Sequence, residues 1–371
     1  MAKKAFIGID GVARKIRKSY VGIDGVARRI KKAYIGIGGV ARPCWSGGEL
    51  VYYGTLAEQI EYRYNLAATS LGNYALFGGG YVTNSGSSTV DAFDKSLVRT
   101  APTVLSQSRF SLSAASVGDY ALFAGGLSGS TAKSRVDAYN TSLTRTTHSL
   151  AYARWDMGAT NVGDYALFVG GADSNNSSDI YMAVDAFDKS LTQTAPSSLR
   201  TRREELAAAN VGNYALFGGG YSGSIESSVE AYDTSLTHTI PTGLSVGRRT
   251  LAATSVGKYA LFGGGYTDNG RKATVDAYDT SLTRTIPTEL SIGRDRLAAT
   301  NVGEYALFAG GNNVSSNLSA VVDAYDSSLT RTTPTALSNP KNDLAAASVG
   351  NYALFGGGYG TGSLVNIYAV V

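Results

Sequence analysis

Residues 251–290 read LAATSVGKYALFGGGYTDNGRKATVDAYDTSLTRTIPTEL. Four strand-sized runs stand out: LAATS, YALFGGG, VDAYD and LTRTIPTEL. Gly, Asn, Asp and Ser turns separate them so closely that no room is left for helices. The block is one of a series. YALF begins at Tyr74, Tyr120, Tyr165, Tyr214, Tyr259, Tyr305 and Tyr352, at intervals of 46, 45, 49, 45, 46 and 47 residues. Glycine-type residues follow every copy, as in Gly78 to Gly80 or Ala124 to Gly126. The third run recurs as VDAFD at Val90 and Val184, VDAYN at Val136, VEAYD at Val229, VDAYD at Val275 and Val322, and VNIYA at Val365.

A period near 46 is too long for a coil of a strand solenoid and suits a four-stranded propeller blade. Blades converge on an axis, so the innermost strand needs small side chains, and the first run is nearly all Ala, Ser and Thr. Glycines after YALF let neighbouring backbones come close. The last unit stops after its third strand, while ELVYYGTL (Glu49 to Leu56) stands ahead of the first unit and resembles a fourth strand. The sequence therefore predicts an all-β, seven-bladed propeller over residues 48–371. Residues 49–56 complete the seventh blade and remove its free edge.

A Gly-Gly pair after an apolar strand, followed by a V-x-x-Y-D strand, resembles the kelch family over residues 49–371. Kelch repeats usually carry Trp six residues after that Tyr. Here the position holds Arg99, Arg145, Gln193, His238, Arg284 and Arg331.

Residues 1–47 repeat on a period of 14: AFIGIDGVARKIRKS, YVGIDGVARRIKKA and YIGIGGVARPCW. Asp10-Gly11, Asp24-Gly25 and Gly38-Gly39 are two-residue hairpin turns between short apolar strands. Two heptads also span 14 residues, but seven glycines, each costing a helix about 1 kcal/mol, argue against a coiled coil. The expected form is a β-hairpin meander with one apolar face and little core, which should associate with copies of itself or dock on a larger surface. Residues 1–45 hold 11 Lys or Arg against Asp10 and Asp24. That surplus of nine, in a chain of net charge +4, leaves residues 46–371 at −5, so the two regions have different tasks. This stretch resembles short basic repeats at the start of prophage-encoded virion proteins of Gram-positive bacteria.

Composition removes several classes. With 43% hydrophobic and 17% charged residues the chain is not disordered by charge excess, and a single Cys, Cys44, builds neither a disulfide framework nor a Cys-rich metal site. Two histidines, His148 and His238, cannot furnish the ligand set of a kelch-fold copper oxidase. The Ser-x-Asp-x-Gly-x-Thr-Trp boxes of sialidase-type propellers are absent, and the adjacent carboxylates Glu204 and Glu205 are read as facing opposite sides of a strand. No catalytic residue, metal or cofactor is assigned. No apolar run of membrane-spanning length occurs, and Gly and Asp interrupt the opening residues where a signal peptide needs a continuous apolar stretch. Nucleic acid is not the expected partner, since the basic motifs ARKIRK and ARRIKK carry few interleaved aromatics.

The rim carrying the loops between second and third strands is the expected working face, because those loops diverge among near-identical repeats. Eleven residues ahead of each YALF tyrosine stands a basic residue: Arg63, Arg109, Arg154, Arg203, Arg248, Arg294 and Lys341. At the start of the innermost strands these are expected to ring the channel mouth. They would then either attract an anion or pair with the equally regular Asp91, Asp137, Asp185, Glu230, Asp276 and Asp323. Tyr81, Trp155, Tyr221, Tyr266 and Tyr359 are candidate sugar-stacking platforms.

These readings lead to a non-enzymatic virion protein of a phage or prophage-derived particle. Residues 1–47 would dock it to other virion proteins as a homo-oligomer, and the propeller would decorate the particle or bind a host-surface glycan or protein. An intracellular bacterial kelch adaptor that binds a protein partner is the second reading.

Overall fold

The computed structural model describes residues 48–56, 61–83, 85–174, 179–360 and 363–371, and the backbone of six strands within 6–46. Seven four-stranded antiparallel sheets form the repeats. The blade quoted first runs Ala252–Val256, Tyr259–Gly263, Val275–Asp279 and Arg284–Thr285 from axis to rim. The inner strands of successive blades touch in a closed circle, the seventh (Lys341–Val349) meeting the first (Ala67–Leu71). The protein is a seven-bladed β-propeller. No described helix is long and apolar enough to cross a membrane.

The seventh blade is composite. Its fourth strand, Leu50–Thr55, pairs antiparallel with Asn366–Val370, with partners from Val370↔Leu50 to Asn366↔Thr55 and a bulge at Ile367/Tyr368. Glu49 and Val371 exchange backbone hydrogen bonds at 3.1 and 3.2 Å.

The hydrophobic core lies between blades, and the alternation of the strands decides which neighbour each side chain meets. Ala260 and Phe262 of YALF face the preceding blade, where they join Leu216, Val229 and Ala231. Leu261 faces the following blade, beside Ala306, Phe308 and Tyr325. In every blade the YALF phenylalanine meets the aromatic ring of the third strand close to edge-on, Phe262 and Tyr278 with centroids 5.8 Å apart. Burying each such ring contributes about 1.5–3 kcal/mol.

The glycines answer to close backbone approach between blades. Gly264 has φ +69°, and a Cβ there would lie 2.5 Å from the Arg294 carbonyl oxygen of the next blade. The adjacent Gly265 N–H donates to that same oxygen at 2.7 Å. A side chain would hold the two backbones apart and break the link.

In the N-terminal region, Phe6–Ile9 pairs with Val12–Lys15, Ser19–Ile23 with Val26–Ile30, and Lys32–Ile37 with Val40–Ser46. Residues 10–11, 24–25 and 38–39, the expected turns, lie outside the described residues, as does the Cys44 side chain. The expected meander is corrected in one respect. The pairs stand as three separate two-stranded sheets, with no ladder joining one hairpin to the next among the described residues.

Candidate functional site

The basic ring is internal, which corrects its expected position at the channel mouth. Arg63, Arg109, Arg154, Arg203, Arg248 and Arg294 have no exposed surface, and Lys341 has 1%. Each arginine reaches sideways to the acid on the third strand of its own blade. Arg63 meets Asp91, Arg109 meets Asp137, Arg154 meets Asp185 and Arg203 meets Glu230. Arg248 lies 2.9 Å from Asp276 and Arg294 lies 2.5 Å from Asp323. The remaining N–H groups go largely to backbone carbonyls, as when Arg109 donates to Gly125 and Arg135 at 2.7 and 2.6 Å. A fully buried, partnered guanidinium offers a ligand no surface, so the ring staples inner strands to outer ones.

The residues at the kelch Trp position complete this staple from outside. Arg99 and Arg331 approach the second carboxylate oxygen of Asp91 and Asp323 at 2.6 and 2.9 Å, and the Gln193 amide meets Asp185 at 2.6 Å. His238 stacks on Tyr232 and lies 2.7 Å from Glu230, so it is a paired group rather than a free surface histidine. Backbone N–H groups of the outer loop, such as Ser245 on Asp276 at 2.9 Å, fill the same acid. The outer strand is polar because it covers a buried carboxylate.

The seventh blade departs from the pattern. Lys341 stands for Arg and Asn366 for Asp, and among the described residues the Lys341 Nζ donates only to the Leu364 carbonyl, at 3.2 Å. Burial without a counter-ion lowers its pKa to about 8.

Directly above the buried ring lies the mouth, built from the two residues that follow each basic residue. No two blades agree there: Tyr64-Asn65, Phe110-Ser111, Trp155-Asp156, Glu204-Glu205, Arg249-Thr250, Asp295-Arg296 and Asn342-Asp343. The first residue of each pair bridges to the first loop residue of its own blade, Tyr64 to Tyr81, Trp155 to Ala172, Glu204 to Tyr221 and Arg249 to Tyr266. The second adopts left-handed φ in all seven blades, between 48° and 55°. Its N–H donates to the carbonyl of the equivalent residue in the preceding blade, from Ser111→Asn65 round to Asn65→Asp343, at 2.9–3.2 Å. Seven such bonds close a ring around the axis. Each offsets part of the roughly 1–2 kcal/mol that an L-residue loses in this conformation.

The side chains of this rim divide into two arcs. Tyr359, Tyr64, Tyr81 and Phe110 pack ring against ring in a row, with centroids 4.9–5.5 Å apart, the outer two contacts edge-on and Tyr64–Tyr81 tilted, and Trp155 sits on the next blade. Opposite, the Arg249 guanidinium lies between the rings of Tyr221 and Tyr266, at 5.2 and 5.5 Å, and pairs with Glu205 at 2.9 Å. Arg271 pairs with Asp295 at 2.6 Å and Arg296 with Asp343 at 3.4 Å. The five aromatic candidates thus all stand on this face, but only Trp155 lines the cavity at its centre.

That cavity, about 510 Å³, is bounded by Phe110, Leu127, Trp155 and Met157 on one side and by Asp156, Glu205, Arg296 and Asp343 on the other. Carboxyl crowding shows in the protonation equilibria. Burial, then Glu205 and Glu204, push Asp156 up to about 8. Burial and Glu205 push Glu204 up to about 7. Glu204 and Glu205, read from adjacency as divergent, part at the cavity: Glu205 lines it and Glu204 does not. Below it, the channel is lined by three residues of each inner strand, all Ala, Ser, Thr or Asn. Among the described residues no group of three or more His, Cys, Asp and Glu is placed to hold a metal.

No known protein family and no curated protein matches this sequence. Its fold does have solved counterparts. A structure of YjhT superposes with a TM-score of 0.62 at 13% identity, covering 76% of this chain and 99% of that one. The similarity concerns the arrangement of blades alone.

Proposed function

We propose that the protein is a non-enzymatic recognition propeller of a phage or prophage-derived particle. In this reading a kelch-type ring is displayed to bind a host-surface glycan, and the basic N-terminal hairpins dock it to other virion proteins. The observation that carries the reading is the rim. A scaffold repeated seven times, with the same buried ion pair in six of its blades, carries seven different mouth dipeptides: the first residue differs in every blade, and the second repeats only as Asp156 and Asp343. Folding does not require that diversity, since one backbone conformation serves all seven dipeptides. A binding surface for an unsymmetrical ligand does require it. The aromatic row supplies flat apolar faces of the kind that sugars stack on.

The basic hairpins support the docking half of the proposal. A two-stranded sheet is marginal in water by itself, so it calls for a partner, and the surplus of positive charge suits an acidic one. The test uses the full chain. It should co-sediment with cell envelopes of a Gram-positive host, lose this on Phe110→Ala/Trp155→Ala, and be labelled by antibody on particles released by lysis. Failure to bind any envelope together with absence from particles refutes the reading.

A further inference from the structure

The mouth has a chemical preference of its own, and naming it rests on the glycan-binding reading above. The cavity lies within the 300–1,000 Å³ usual for small-molecule sites. Its aromatic wall and its carboxyl wall come from adjacent blades at equivalent positions, Trp155-Asp156 on the third and Glu204-Glu205 on the fourth. The backbones of these two dipeptides are linked, Glu205 N–H to the Asp156 carbonyl at 3.1 Å. An aromatic face and two carboxyl-bearing residues are thereby held side by side at one edge of the cup.

Among the described residues, two polar atoms of these dipeptides find no hydrogen-bond partner: the indole N–H of Trp155, which lines the cavity, and one carboxylate oxygen of Glu204, which does not. Each leaves about 1–3 kcal/mol of pairing unrealised. The backbones of both residues are pinned by the rim bridges to Ala172 and Tyr221. The carboxyls lining the cup are also unevenly partnered. Arg249 matches Glu205 and Arg296 matches Asp343, whereas no salt bridge reaches Asp156 among the described residues, and its carboxyl keeps its proton up to about pH 8.

We propose that this cup binds an amine-bearing sugar, its ring against Trp155 and Phe110 and its ammonium group between Asp156 and Glu205. An ammonium beside Asp156 favours its carboxylate form and supplies the basic partner it lacks, and a sugar hydroxyl serves the indole N–H. The acid-lined cup disfavours uronic and sialic acids, in contrast to the anion-attracting funnel that a basic ring at the mouth would have made.

The probe is the β-1,4-linked glucosamine trisaccharide, titrated calorimetrically into the full chain beside its fully N-acetylated counterpart and a galacturonic acid trisaccharide. The amine form is expected to bind at least about tenfold tighter than the N-acetyl form, with no binding of the acidic sugar. Trp155→Ala should weaken the amine form about tenfold or more. Asp156→Asn should remove the preference for the amine while leaving the N-acetyl form unchanged, with each variant folded as wild type by circular dichroism. Equal binding of the amine and N-acetyl forms, or preference for the acidic sugar, overturns the inference. Envelope binding without any response to these sugars also overturns it, while leaving the recognition role standing. Loss of envelope binding as well would remove both.

Discussion

Arg248 and Arg249 are neighbours in sequence and opposites in role. Arg248 is one of six arginines that do the same thing, a fully buried guanidinium on the acid of its own blade. Arg249 has no counterpart, being the sole arginine at its repeat position and held between two tyrosines and Glu205. Inside the ring the layers repeat because every blade must solve the same packing problem. One residue further on the backbone is still shared but the side chains are released from that problem. Scaffold and recognition surface are thus separated along the axis by a single step of the chain, with no separate domain or insertion.

Breaking the buried layer should have the largest effect. Arg248→Ala leaves Asp276 buried without its charge partner, a loss of about 3–5 kcal/mol, whereas Arg249→Ala at the partly exposed rim should stay within about 1 kcal/mol of wild type. Denaturant titration of both variants checks the contrast, and equal losses would dissolve the distinction between the layers.

A smaller effect comes from the one blade where the buried layer is imperfect. The folded pKa of Lys341, about 8, lies below its unfolded value near 10.5. Between those values the unfolded chain binds more protons, so this lysine makes stability rise as pH increases through the window. The buried tyrosines, whose pKa values burial raises, oppose the trend only above about pH 10. Lys341→Arg/Asn366→Asp, which rebuilds the pair of the other six blades, should abolish the rise between pH 8 and 10 in thermal melts.

A further effect sharpens the mouth. The Asp156 carboxyl is raised to about 8 in the folded protein. The folded state therefore holds more protons than the unfolded one between about pH 4 and 8, and stability falls as pH climbs through that interval. Asp156→Asn should flatten this slope without altering stability at pH 4. A slope that survives the substitution would assign it to other groups.

Much of this molecule was readable before its structure. The spacing of YALF sets seven blades, and the small residues of LAATS set the axis. The strand lacking after Val365 fits the run Leu50–Thr55, which pairs there. The arginine ring was legible as a pattern but not as a place. Position along the strand put it at the mouth, whereas the length of the side chain carries the charge inward to the third strand. The rim dipeptide left a signal in R-x-x-L, two unmatched residues between nearly invariant ones. Its left-handed backbone left none, because Thr250, Arg296 and Glu205 occupy a conformation that glycine usually announces. A bond contributed by the neighbouring blade sustains it, and a local reading of sequence does not contain that bond.

The circle of seven amide links has an electrical consequence. Each N–H···O=C unit points along the circumference, every one in the same rotational sense. Their dipoles therefore cancel around the circle, unlike those of a helix, which add along its axis. The main chain is silent at the opening of the pore, and the field met by an arriving molecule is composed by fourteen interchangeable side chains.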